Sequence, residues 1–230
     1  YVCLGAGNWY ESSSDFWEYH PTDDIWVQLE DFPAGSYGVA RLAFIIGDFA
    51  YITNNGLEDI YVFEQRTRKW SMARGFPEGY AGDFGSFTIG NTGHIITGKG
   101  SGSVESNLHY VYKPAGDTWT QLPSFPGTAR YDGAGFQIKG KGYFGLGKTS
   151  EAGMASIVAK KDILKDIWSF TEKDGWRVNT DFEGASLSNP QYGSNGDLGY
   201  IGFGKGTGPY IIGSEQQQMF NHLFLFYPQE

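Results

Sequence analysis

The sequence predicts an all-β chain assembled from repeated four-stranded antiparallel sheets, the blades of a β-propeller. Three observations carry this. An aromatic ladder recurs: Tyr19, Phe63 and Tyr112 each stand seven positions before Trp26, Trp70 and Trp119, and Phe170 stands six before Trp176. Six residues after each of these tryptophans comes a phenylalanine (Phe32, Phe76, Phe125, Phe182), followed by proline in the first three copies and by Glu183 in the fourth. The tryptophans lie 44, 49 and 57 residues apart, a blade-sized period. Around them the apolar residues alternate (Trp17 and Tyr19, Tyr61 and Phe63, Tyr110 and Tyr112, Trp168 and Phe170, Phe224 and Phe226), which is a strand period and not a helical one. Finally, 34 glycines and 17% aromatic residues suit twisted sheets joined by tight turns.

The strands follow in order. In the second blade the inner strand is Leu42 to Ile46, with Gly47-Asp48 as its turn, then Phe49 to Thr53, Asp59 to Phe63, a turn through Arg66-Thr67-Arg68, and an outer strand at Trp70. The third reads as Gly85 to Ile89, His94 to Thr97, Leu108 to Tyr112 and Thr118 to Leu122. The fourth reads as Ala134 to Ile138, Gly142 to Leu146, Asp166 to Phe170 and Trp176 to Val178. The ends are partial: Tyr1 to Leu4 reads as a second strand, and His222 to Tyr227 as a third strand with no tryptophan after it. About five blades are therefore represented, the terminal ones incomplete, in one domain over 1–230 that is expected to be part of a larger propeller or to close unusually.

These residues carry a resemblance. The run Asp15 to Pro33, and again Leu108 to Pro126 with Asp117-Thr118-Trp119-Thr120-Gln121-Leu122, resembles a bacterial Kelch repeat of the galactose-oxidase-like propeller type. The double glycine of that repeat stands as Gly5-Ala6-Gly7, Gly98-Lys99-Gly100, Gly145-Leu146-Gly147 and Gly202-Phe203-Gly204, and is degraded to Asn54-Asn55-Gly56 in the second blade. The resemblance implies a binding face formed by the loops after the second strands and between blades. It also implies an arginine aimed at the channel mouth, for which Arg130 is the match.

On that face symmetry places Lys99, Lys148 and Lys205 at equivalent heights, with Tyr37, Tyr80 and Tyr131 nearby. Arg130 could hold a carboxylate while the tyrosines stack on a sugar or peptide. The competing reading pairs Arg130 with a neighbouring acidic residue such as Asp132, makes the tyrosines filler between sheets, and leaves the lysines as solvated rim charges.

Other motifs are explained by the repeat. Gly142-x4-Gly147-Lys148-Thr149 fits the phosphate-loop pattern, but it reads as the second strand of a blade, and a phosphate loop needs a strand leading into a helix of a parallel sheet. The four histidines, His20, His94, His109 and His222, have no metal-ligand spacing, and a copper site of the galactose oxidase kind would need company that Cys3 lacks. No cofactor and no metal is expected. Asp15 and Asp23-Asp24 read as turn caps, not calcium ligands.

A net charge of −9 argues against general nucleic-acid binding, and no apolar run reaches the ~20 residues that span a bilayer. The expected location is extracellular, periplasmic or the cell surface. The leading functional reading is a non-catalytic module that binds a glycan or protein. The alternatives are a sugar-acid mutarotase similar to the sialic acid epimerases of this fold, and a structural segment whose partner is the rest of its own propeller.

Overall fold

The computed structural model describes residues 1–3, 14–33, 40–54, 58–79, 82–96, 98–100, 104–149, 163–184, 186–207, 218–219 and 222–228. They fall in two compact units, Tyr1–Tyr80 and Ala81–Glu230. Among them no α-helix occurs, and so no helix is long and apolar enough to cross a membrane.

In the first unit, β1 (Val2–Cys3), β2 (Phe16–His20) and β3 (Ile25–Gln28) form a three-stranded antiparallel sheet in chain order. Next, β4 (Ala40–Ile46), β5 (Phe49–Asn54), β6 (Ile60–Glu64) and β7 (Lys69–Ala73) form a four-stranded meander. Its first hairpin pairs Ile46 with Phe49 across a two-residue turn, and Gly47 takes the positive φ (+57°) that such a turn demands. The sequence places the inner strand at Leu42; pairing extends it back to Ala40, with a register shift between Leu42 and Phe44.

The aromatic ladder packs here through edge-to-face and tilted ring pairs. Phe16 meets Phe63 at 4.7 Å and Trp70 at 5.2 Å, and Phe32 meets Trp70 at 5.4 Å. Phe32, from the Phe-Pro step after Trp26, is buried, whereas Trp26 itself is 51% exposed. Trp70 is wedged by rings from the sheet before it. Among the described residues, Trp26, in the first sheet, has its own Tyr19 as ring partner, 4.9 Å away.

The second unit opens with two complete meanders. The first contains β8 (Gly85–Ile89), β9 (Thr92–Ile96), β10 (His109–Lys113) and β11 (Thr118–Leu122). The second contains β12 (Ala134–Ile138), β13 (Lys141–Gly145), β14 (Asp166–Thr171) and β15 (Gly175–Asp181). The remaining strands are β16 (Ser186–Ser188), β17 (Gln191–Ser194), β18 (Gly199–Gly202), β19 (Lys205–Thr207), β20 (Gln218–Met219) and β21 (Leu223–Phe226). They divide between a three-stranded sheet β17-β18-β21 and a short ladder β16-β19-β20. The strands read from sequence are met within a few residues. β18 ends at the Gly202-Phe203-Gly204 step that the sequence marks as the close of a second strand, whereas β17 and the ladder β16-β19-β20 were not anticipated.

Small residues let consecutive sheets touch. A Cβ on Gly135 of β12 would lie 2.6 Å from the Ser86 backbone nitrogen of β8, so the two inner strands approach backbone to backbone. Further out, the Phe87 ring sits on Gly142 of the next sheet and the Phe136 ring on Gly199 of the one after, the same contact one blade on. Phe125, fully buried, meets Phe144, Trp168 and Trp176 at 5.0–5.5 Å. Burying a ring of this size contributes about 1.5–3 kcal/mol from area alone.

Candidate functional site

The site lies where the second strands end. Beyond β9, Lys99 pairs through its backbone with Gly82 on one side and Glu105 on the other. One blade on, Lys148 is held in the same way between Tyr131 and Ile163. Lys205, one blade further, pairs with Ser188 and Met219. The three Gly-Lys steps thus occupy one position in three successive sheets, as the repeat implies.

The segments entering the inner strands form a second ring of main-chain bonds. The Asp132 N–H donates to the Asp83 carbonyl at 3.2 Å, and the Asn189 N–H donates to the Asp132 carbonyl at 3.0 Å. All three residues have φ near +50° to +57°. Asp and Asn tolerate that conformation better than other side chains, so the repeat places an Asp or Asn there each time.

At the junction of the sheets β8–β11 and β12–β15, the side chains converge on Tyr131. The Lys99 ammonium stands 3.7 Å from the centre of its ring and the Lys148 ammonium 4.7 Å. Lys148 is also paired with the Asp132 carboxylate at 2.8 Å, both side chains being largely enclosed. Lys99 has no carboxylate within ion-pair distance among the described residues; its charge is met by the tyrosine face. Burial raises the Tyr131 phenol above its ordinary value. Lys148 opposes this, and Asp132, Glu105 and Asp83 add to it, so the phenol stays protonated at neutral pH.

Arg130, expected at the channel mouth, is enclosed in an ion pair. Its side chain is 1% exposed, and it makes a two-pronged ion pair with Asp166 of β14 at 2.7 and 2.8 Å. Its remaining bonds go to the carbonyls of Thr128 (2.9 Å, from Nε) and Leu146 (3.2 Å), and its planar group lies over the Phe125 ring at 5.1 Å. An outside carboxylate would have to displace Asp166. Asp132, the neighbour suggested by sequence, belongs to Lys148 instead. Burial by itself would raise the Asp166 carboxyl, but the Arg130 hydrogen bonds and charge, with the Trp168 N–H, outweigh it and hold the group below the usual carboxylate range.

Sequence reasoning missed Asp166, although a signal existed. Asp15-Phe16-Trp17 repeats as Asp166-Ile167-Trp168, and in each the indole N–H donates to the aspartate two residues back, at 2.6 and 2.7 Å. Of the other expected site residues, Tyr131 meets Lys99 and Lys148, while Lys205 is placed by its backbone alone. Tyr37 and Tyr80 lie outside the described residues, as do Gly5 to Gly7. Also among the described residues, no group of three or more His, Cys, Asp or Glu side chains is arranged to hold a metal ion.

No protein-family model matches the chain, and no curated protein matches it in sequence. Solved structures do. The structure of YjhT superposes with a TM-score of 0.73 at 15% sequence identity, over 97% of this chain and 77% of that one. The fold is that of a β-propeller. At this level of identity the likeness speaks for architecture alone, and it agrees with the four-stranded antiparallel meanders and, within the second unit, with the rings of Phe87 and Phe136 that each reach a glycine of the next sheet.

Proposed function

We propose that this chain is a Kelch-type propeller module that binds a glycan or protein ligand without chemistry, through the end of the sheets where Lys99, Lys148 and Lys205 recur. The observation that carries the reading is Lys99 on the Tyr131 face. Its ammonium lies 3.7 Å from a ring centre and, among the described residues, has no carboxylate within ion-pair distance. A ligand carboxylate or an acidic side chain would complete it, while the ring edge offers a surface for a sugar or an aliphatic group.

A sugar-acid mutarotase is the other reading of such a face. It calls for an arginine open to the ligand and a carboxyl poised near neutrality to move the ring-opening proton. The arginine matched to that role is enclosed, and its carboxylate partner is pushed in the acidic direction. This supports a binding module.

Glycan-array screening followed by titration calorimetry tests the proposal. Lys99→Ala should cost about 0.5–1 kcal/mol of stability, the scale of a part-exposed cation–ring contact, and leave the fold intact. It should weaken binding of an acidic ligand at least tenfold. Equal affinity in both proteins would remove Lys99 from the site. Turnover of any bound sugar acid would favour the mutarotase.

A further inference from the structure

Two histidines that the binding face does not use are buried in the same junction. His94 of β9 and His109 of β10 are both fully enclosed, and their rings are joined, Nδ1 of His94 to Nε2 of His109, at 3.0 Å. At one end of the pair the Trp176 indole nitrogen, from β15 of the next sheet, lies 3.2 Å from His109 Nδ1. At the other end, His94 Nε2 lies 3.2 Å from the Thr92 hydroxyl, which is 2.8 Å from the Ile89 carbonyl.

The chemistry of the two ends sets every proton between them. An indole N–H only donates, so His109 Nδ1 accepts, and its proton sits on Nε2. That proton is given to His94 Nδ1, so His94 in turn carries its proton on Nε2 and donates to Thr92. The threonine then donates to the carbonyl, which only accepts. Each imidazole has one donor and one acceptor in use, and neither has an acceptor for a second proton. On His109 that proton would face the indole N–H; on His94 it would face the N–H of His109.

The walls offer an imidazolium no help. Phe87 of β8 stacks on His94 at 5.0 Å, and Phe170 of β14 meets His109 edge-on at 4.8 Å. In register, His109 is opposite Leu122 of β11 and His94 is opposite Val111 of β10. Among the described residues, the titratable group facing each imidazole is the other imidazole. Burial pushes His94 down to about 4, and burial together with the His94 charge pushes His109 down to about 3.

We infer that the chain Thr92, His94, His109, Trp176 is an acid-released latch that ties the sheet β8–β11 to the sheet β12–β15 while both imidazoles are neutral. A proton on either ring turns an acceptor into a donor opposite another donor, and the bond from Trp176 is lost. The same junction positions Lys99 over Tyr131, so release loosens that face as well; the latch itself does not depend on what the face binds.

The linkage has a definite sign. In the unfolded chain both rings protonate near pH 6.5. Folded, they resist protonation to much lower pH, so the latch contributes fully above about 6.5 and is lost as pH falls toward the folded values. Two protons taken up on unfolding raise the unfolding constant about tenfold per unit of falling pH near pH 6.5 and by close to about 100-fold per unit near pH 5, where the unfolded rings are charged and the folded ones are not.

Long-range proton–nitrogen NMR on the wild-type protein reads the protonation sites directly. The expected result is Nε2–H on both rings at pH 7, no titration of either down to about pH 5, and ordinary titration of both in urea. A proton on Nδ1 of either ring, or titration near pH 6.5 in the folded protein, overturns the latch. As a second measurement, urea unfolding between about pH 6.5 and 5 should lose most of its pH slope in the His94→Gln/His109→Gln double variant. If that variant does not fold, Trp176→Phe serves: without the indole N–H, His109 Nδ1 should take its second proton at higher pH. An unchanged His109 titration in that variant counts against the inference.

Discussion

Removing Asp166 is the sharpest test of how this propeller holds its wall together. In Asp166→Ala the Arg130 guanidinium, 1% exposed, would keep, among the described residues, the Thr128 and Leu146 carbonyls as acceptors. Breaking a buried pair by deleting one partner costs about 3–5 kcal/mol, because the survivor is left charged in a poorly solvated place. Asp166 is itself 26% exposed on its side chain, so water can partly replace it, and about 3 kcal/mol is the appropriate figure. For a chain of this size that lowers Tm by roughly 6–12 °C. The assay is guanidinium unfolding followed by tryptophan fluorescence, in a cycle with Arg130→Ala and the double variant. Strong non-additivity is expected, and Arg130→Met with Asp166→Leu should lie close to wild type. The carboxyl is held below its unfolded value, so its stabilisation is complete above about pH 4 and fades as pH falls further. The gap between wild type and Asp166→Asn should narrow over that acid range. A cost under about 1 kcal/mol for Asp166→Ala, or simple additivity, would refute the enclosed-pair account.

Two further outcomes follow from packing. Trp176→Ala should destabilise by about 3–5 kcal/mol in chemical denaturation, because its ring meets Phe125 and Phe170 at about 5 Å; Trp26→Ala, at the same repeat position but 51% exposed, should cost under about 1.5 kcal/mol. Equal costs would mean that the repeat position, and not its neighbours, sets the energetics. Gly135→Ala places a methyl group against the Ser86 backbone and should cost at least about 1–3 kcal/mol by thermal unfolding; a neutral result would show that the inner strands can separate at little cost.

The lysine set was legible because it rides on the repeat. Once Gly98-Lys99, Gly147-Lys148 and Gly204-Lys205 are aligned, the backbone pairings around each follow from strand order. Tyr131 could be placed near them on the same logic. What could not be read was which charge meets which. Asp132 is two residues from Arg130 in sequence, yet it serves Lys148, while the arginine reaches 36 positions along the chain to Asp166. The histidines show the same limit. His94 and His109 have no spacing that signals a pair, and they meet because β9 and β10 lie side by side.

The sequence by itself determined the strands of the three four-stranded sheets and the residues that recur at each level, because alternation and a fixed aromatic interval are local and repeat faithfully; it did not show how the C-terminal strands divide between two sheets. Tertiary structure alone decided which tryptophans are wedged and which stand in solvent, which aspartate neutralises the buried arginine, and that two histidines 15 positions apart join ring to ring. Those outcomes depend on contacts between neighbouring strands and sheets. A side chain's burial and electrostatics are set by what the next blade presents to it, and an identical repeat position can meet a full aromatic socket or open water.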